Sequence, residues 1–331
     1  MRKNLYITRS GKLSRRDNTL LFKNDALSKT IPIIGIENIY LLGEISVNSK
    51  LFAYFAENKI VCHFFNYYGY YTGSFYPRES YLSGRLLVKQ VEHYAHITQR
   101  LGIAGRFVQG IGDNLIELLG HYYKHGKITV SPITRIRKLV AKISSCKSVP
   151  ELLQVEGEIW NVFYVAFSKV LLESFSFTNR VKRPPDNPVN ALISFGNSLL
   201  YAKVTSKIYH TQLNPSISYL HEPGNARFSL SLDIAEVFKP AITFQTILKL
   251  VNKRMLKASH FNQELNYCML NEDGRRVFVE EFERKLGETA EHPRLKRKYS
   301  YDGLIKLELY KLVKHLMEGV EYEPYRMKKG C

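Results

Sequence analysis

Cysteine is scarce in this sequence and never paired. Cys62, Cys146, Cys268 and Cys331 are the only four among 331 residues, and none forms a CxxC motif. That spacing argues against structural zinc and, in a reducing compartment, against disulfides. The four read as small apolar fillers or exposed thiols. Long hydrophobic runs are missing too. No apolar stretch approaches the ~20 residues that a membrane-spanning helix requires. The opening MRKNLYITRS lacks the apolar core of a signal peptide. Together these absences predict a cytoplasmic protein with no membrane partner. Repeats and low-complexity segments are also lacking. Acid is in short supply: 30 Asp and Glu stand against 48 Lys and Arg, a net charge of +18. Such an excess predicts a polyanionic partner, with nucleic acid first and an anionic membrane surface second.

What is present describes an ordinary folded chain. Hydrophobic residues make up 45% and charged residues 24% of the sequence, with ample length for one large domain or two ordinary ones. Up to about residue 76 the texture is strand-like. Short Ile- and Leu-rich runs are broken by Gly35 and Gly43, IVCHFF suits a buried strand, and NYYGYYTGSF suits a hairpin around Gly69. Between these, NSKLFAYFAEN predicts one short helix capped by Asn48 or Ser49. From Tyr81 the period becomes helical. One helix is expected to end at Gly102. The next carries Phe107, Ile111, Leu115 and Leu118 inward, and a basic amphipathic helix follows Ser131. A turn is expected at Asp273-Gly274. The resulting fold class is α+β: a small β-rich N-terminal domain over residues 1–78, then a larger all-α domain over residues 79–331.

Two stretches carry candidate chemistry. In YLHEPGNARFSLSLDIAEVFKP, His221 precedes a turn at Pro223, Gly224 and Asn225. Asp233 and Glu236 are three apart in a predicted helix, which sets both carboxylates on one face. A histidine with two carboxylates suits a hard divalent cation. The same residues also suit a histidine bonded to backbone and two solvated acids. In SVPELLQVEGEIWNVFYVAFSKVLLES, an apolar stripe runs through Trp160, Phe163, Phe167 and Val170. Continued backward, it meets Glu156. A carboxylate there is costly unless paired or metal-bound, although a carboxylate near a helix start is also a cheap partner for the helix dipole.

Taken together, VEGEIWNVFY, KRPPDNPVNALISFGNSLLY, YLHEPGNARFSLSLDIAEVFKP, LNEDGRRVFVEEFE and the terminal YEPY resemble one family, in that family's order and across almost the whole chain. It is the CRISPR-associated integrase and endonuclease of spacer acquisition, the larger of the two adaptation proteins. The spacing of the last carboxylates resembles the variant of type I-B systems. The resemblance implies metal ligands at Glu156, His221 and Glu236, which are also the catalytic residues, with Asp233 as a supporting acid. The family pattern closes on arginine-proline, whereas this chain has Lys239-Pro240, which keeps the charge and loses the bidentate fork.

The implied cofactor is Mg²⁺ or Mn²⁺. The implied reaction is strand transfer, in which the 3′-hydroxyl of an incoming fragment attacks a phosphodiester of the repeat array. The implied partners are double-stranded and branched DNA, a second copy of the chain in a homodimer, and the smaller adaptation protein. Candidate DNA contacts are Arg180, Lys182, Arg183, Tyr219 and Arg227, the groups nearest the motifs. Two other classes stand beside this one: a non-catalytic nucleic-acid scaffold, and a peripheral membrane protein using the basic helix at residues 132–147.

Overall fold

The computed structural model of the protein describes residues 3–78, 83–175, 177–182, 184–224, 228–264, 267–291 and 296–327. Its first part is strand-rich: β1 (Lys3–Ile7), β2 (Gly11–Arg16), β3 (Thr19–Lys23), β4 (Ser28–Pro32), β5 (Ile36–Leu41), β6 (Ile45–Ser46), α1 (Ser49–Glu57), β7 (Val61–Phe65) and β8 (Tyr71–Phe75). One sheet has the order β1-β5-β7-β8, parallel except for the β7–β8 hairpin. The other has the order β4-β3-β2-β6. Asn48 caps α1 by accepting from the Leu51 amide at 3.0 Å. The hairpin turn places Gly69 at φ +80, a left-handed conformation that suits glycine.

Beyond Ser83 the chain is mostly helical: α2 (Gly84–Ala95), α3 (Ile97–Lys124), α4 (Ser131–Lys142), α5 (Val149–Ser168), α6 (Pro188–Tyr209), α7 (Ser229–Phe238), α8 (Gln245–Asn252), α9 (Glu272–Gly287) and α10 (Tyr301–Glu318). A π-helical stretch, Pro240–Phe244, joins α7 to α8. Three expectations need correction. The helical part is not all-α, because two small hairpins interrupt it: β9 (Phe261–Glu264) with β10 (Tyr267–Leu270), and β11 (Thr289–Glu291) with β12 (Lys298–Ser300). The apolar run Cys268 to Leu270 is buried but too short for a helix, and it packs on α6 as a strand. The first break falls at His96, whose ψ of 103° ends α2, and α3 runs straight through Gly102. Burial of Ile103, Ala104 and Phe107 beyond it outweighs the ~1 kcal/mol that a helical glycine costs. Asp273-Gly274 lies in the first turn of α9, where Asn271 accepts from the Gly274 amide at 3.0 Å.

The two parts share an interface because β5 is buried on both faces. Ile39 and Leu41 enter a small core with α1 and the second sheet, whereas Tyr40 and the adjoining Leu42 enter the large helical core. The period-two alternation of a strand delivers both sets from one apolar run. Helix α6 is buried all round. Its Lys203 and Lys207 are neutralised by Asp302 of α10 at 2.8 and 2.7 Å, and Lys207 also reaches Glu37 at 3.1 Å.

The last described residues, 322–327, have no regular secondary structure yet are firmly seated. Asn114 of α3 donates to the Val237 and Tyr325 carbonyls at 2.9 and 3.0 Å and accepts from the Met327 amide at 2.7 Å. Tyr325 stacks on Phe238 with ring centroids 4.9 Å apart. The tail therefore backs α7. Among the described residues no helix is long and apolar enough to cross a membrane.

Candidate metal centre

Helix α5 is started by Ser148, whose hydroxyl faces Glu151 in a reciprocal cap: Glu151 accepts from the Lys147 amide and the Ser148 hydroxyl, both at 2.9 Å. Two turns on, the predicted stripe is buried at Trp160, Phe163, Phe167 and Val170. Glu156 heads it and accepts from Trp160 Nε1 at 2.6 Å. Burial, and then the charge of Glu236, push the Glu156 carboxyl up to about 7; Lys239, His221 and the indole hydrogen bond pull it back.

The His221 segment is built around Asp233, which has no accessible surface. Asp233 Oδ2 accepts from the Tyr219 and Leu220 amides at 2.8 and 3.0 Å. Its Oδ1 accepts from the His221 amide at 3.0 Å and meets His221 Nδ1 at 2.8 Å. The imidazole is thereby oriented, with Nδ1 as donor and Nε2 left for a ligand. Burial disfavours the imidazolium, yet the Asp233 hydrogen bond and the charges of Asp233, Glu236 and Glu156 hold the His221 pKa above the ordinary histidine value.

Glu236, one turn beyond Asp233, is buried. Its Oε1 pairs with Lys239, and its Oε2 has no hydrogen-bond partner. Lys239 also lies over the Trp160 ring, 5.5 Å from its centroid. The lysine ammonium thus pairs with Glu236 and lowers the cost of the Glu156 charge without removing it. Among the described residues, no three His, Cys, Asp or Glu side chains converge tightly enough to hold a cation together. The donor chemistry nevertheless fits one: a Glu156 carboxyl raised by the charge of Glu236, a buried Glu236 oxygen without a partner, and an imidazole with Nε2 uncommitted.

The DNA-contact candidates fare differently. Tyr219 is fully buried, and its hydroxyl donates to the Gln90 carbonyl at 3.4 Å, so packing takes the side chain expected to touch DNA. Arg180 spends its guanidinium on the first turns of α6, reaching Asn190 Oδ1 at 3.0 Å and Ser194 Oγ at 2.8 Å. Lys182 is exposed. Arg183 and Arg227 lie outside the described residues, as does Asn225 of the expected turn.

Comparison with known proteins sharpens this picture. The family model described as CRISPR associated protein Cas1 matches residues 5–284. The chain belongs to the Cas1 family. A relative from Thermodesulfovibrio yellowstonii, named CRISPR-associated endonuclease Cas1 2, is 44% identical over 98% of this chain and 99% of its own. A CRISPR-associated endonuclease Cas1 from Fusobacterium nucleatum is 43% identical over 99% and 97%. Among solved structures, a Cas1 protein from Thermotoga maritima has a TM-score of 0.87 at 37% identity, covering 98% of this chain and all of that one. A casposase bound to its integration product shares the fold, with a TM-score of 0.85 at 20% identity over 98% and 96%.

Within this Cas1-family chain, one positioning residue escaped the sequence reading. Arg100 of α3 donates from Nε to the Tyr219 carbonyl at 2.9 Å and from Nη2 to Glu222 Oε1 at 2.6 Å. It clamps both sides of His221 from an element more than a hundred residues earlier. Nothing in the local pattern around Arg100 distinguishes it from a solvated arginine.

Proposed function

We propose that this chain is the divalent-metal-dependent DNA endonuclease and integrase of CRISPR adaptation, acting by 3′-hydroxyl strand transfer. The observation that carries this reading is the conflict between Glu156 and Glu236. Burial and the charge of Glu236 raise the Glu156 carboxyl even with Lys239 close by, and Glu236 Oε2 is buried without a partner; a divalent cation there would relieve both. Glu156, His221 and Glu236 are the ligands in this reading, and Asp233 is their support. Mg²⁺ or Mn²⁺ bound there would stabilise negative charge developing on the phosphoryl group. The protein's own contribution is positional. Asp233 and Arg100 hold the His221 segment, Trp160 holds Glu156, and the apolar stripe of α5 keeps the site rigid. In the joining step a 3′-oxygen bonds to phosphorus as the repeat's P–O bond breaks, so phosphodiester count is conserved and no energy source is needed.

The helical part from about residue 79 carries the chemistry in this reading. The partners are branched and double-stranded DNA, a second copy of the chain, and the smaller adaptation protein. The endonuclease names of its relatives and the casposase bound to an integration product support the DNA partner, and a neighbour of the same fold titled Cas6-RT-Cas1--Cas2 complex supports the smaller protein.

Joining of labelled branched DNA by the purified chain and its small partner, with Mn²⁺, tests the reading. Glu156→Gln, His221→Ala and Glu236→Gln are each expected to lower joining by at least about a hundredfold while DNA affinity persists. Full joining by all three variants would remove the chemistry from these residues and overturn the metal-centre reading.

A further inference from the structure

The basic helix α4 is not used by the site described above. It lies in the longest single-sign stretch around it: residues 118–150 contain seven Lys or Arg and no Asp or Glu, a net +7 out of the chain's +18. Lys124, Lys127, Arg135, Arg137, Lys138 and Lys142 are all exposed. None of the six has an acidic partner within 4.0 Å among the described residues. Surface lysines and arginines elsewhere do pair, as Lys89 does with Glu92 and Arg9 with Glu272. Leaving so many cations together without counter-charge costs self-repulsion, which a polyanion would relieve.

The fold also decides between two kinds of polyanion. A membrane-surface helix needs an exposed apolar face opposite its charges. Here that face, Ile133, Ile136 and Leu139, is buried against α3 and α5. What remains outside is charge, with Tyr123 and Val130 exposed only at the elbow between α3 and α4. A bare cationic face has no means of insertion, but it matches a row of phosphates. Its twelve residues span about 18 Å, the rise of roughly five base pairs. It is also rigidly tied to the metal-centre helix. A Cβ at Gly112 of α3 would lie 2.3 Å from Val140 of α4 and 3.7 Å from Ile159 of α5, so the three helices meet at one close-packed point.

We infer that the α3–α4 elbow and the outer face of α4 form a docking track for the phosphate backbone of duplex DNA, holding it at a fixed distance from Glu156. This rests on the DNA-joining reading and adds a surface to it. Contacts here would be to phosphate alone, and so blind to base sequence.

The test is the salt dependence of duplex binding by the full chain, measured by fluorescence anisotropy between 50 and 200 mM salt. The triple variant R135Q/K138Q/K142Q is compared with K23Q/K29Q/K50Q, which removes three exposed lysines from the strand-rich part. Each lost phosphate contact flattens the log–log slope by about 0.9, so the first variant is expected to lose up to about 2.7 and the second almost nothing. Melting temperatures check that both variants fold. Equal slopes in the wild type and the α4 variant would overturn the inference, as would an equal change in the control. So would a variant that loses binding to phosphatidylserine vesicles while its DNA slope stays unchanged. Because binding is read separately from joining, a wild type that binds but never joins would sink the enzymatic reading and leave the slopes to decide this one.

Discussion

Asp233 shows how much one buried side chain can organise. Its two oxygens serve three consecutive amides and one imidazole, so it cannot also be an open metal ligand. Asp233→Asn turns one acceptor into a donor facing the Tyr219 and Leu220 amides, and each unsatisfied group costs ~1–3 kcal/mol. The expected result is a melting temperature several degrees lower and joining reduced about 10- to 100-fold, with DNA affinity kept. Calorimetry and the joining assay read the two effects.

Titration gives a second expectation at this scale. Glu156 is pushed up to about 7, and His221 is held above its usual range. In both cases the folded protein binds its proton more tightly than the unfolded chain does. Stability of the metal-free protein should therefore fall as pH rises from about 4.5 through 7 and beyond. Added Mn²⁺ should restore more stability at pH 8 than at pH 6, because binding displaces those protons. A flat profile of melting temperature against pH, with and without metal, would contradict it. The candidate ligands were legible as residues because carboxylate and histidine spacing is a local property. Arg100 and the burial of Tyr219 were not, since both depend on which distant segment arrives alongside.

Among the elements, legibility followed periodicity. Helix starts near Asn48 and Ser131 came from a cap and from proline, which act within one turn. Breaks were less readable. Gly102 resembles a helix stop, but only tertiary packing decides whether a glycine ends a helix or is carried through it. Gly112 makes the point testable. A methyl group there would overlap Val140, and overpacking of this kind costs typically ~1–3 kcal/mol. Gly112→Ala should lower the melting temperature by several degrees, and Val140→Ala in the same chain should recover part of the loss. A double-mutant cycle by thermal melting measures that coupling. Strictly additive effects would mean that the two helices do not meet there.

For the whole molecule, the α+β division was visible as a change of texture near residue 76. The two-faced burial of β5 was not, because an apolar run does not say what covers each side. The strand-rich and helical parts are welded by Arg275, which donates to the Leu42 carbonyl at 2.9 Å and also to that of Tyr67. They are also joined by Glu283, which accepts from Asn4 and Tyr6 at 2.9 and 2.6 Å. The tail is a second weld. Removing residues 322–327 would expose Phe238, leave Asn114 with Val237 as its one partner of three, and leave buried Glu308 without the Tyr325 amide, which reaches it at 2.9 Å. Such a truncation is expected to cost several kcal/mol and to weaken joining with Glu156, His221 and Glu236 all intact; chemical denaturation and the joining assay check both.

That tail also sets an order on biosynthesis. Chains fold from the amino terminus as they leave the ribosome, and α3 and α7 emerge long before residues 322–327 do. Until then Asn114 has only Val237 to hold, and Phe238 has no stacking partner. A nascent chain would carry every acidic and imidazole group of the centre on an unfinished backing. The backing of α7 is therefore completed only once residues 322–327 have emerged, later than every segment that carries a candidate ligand.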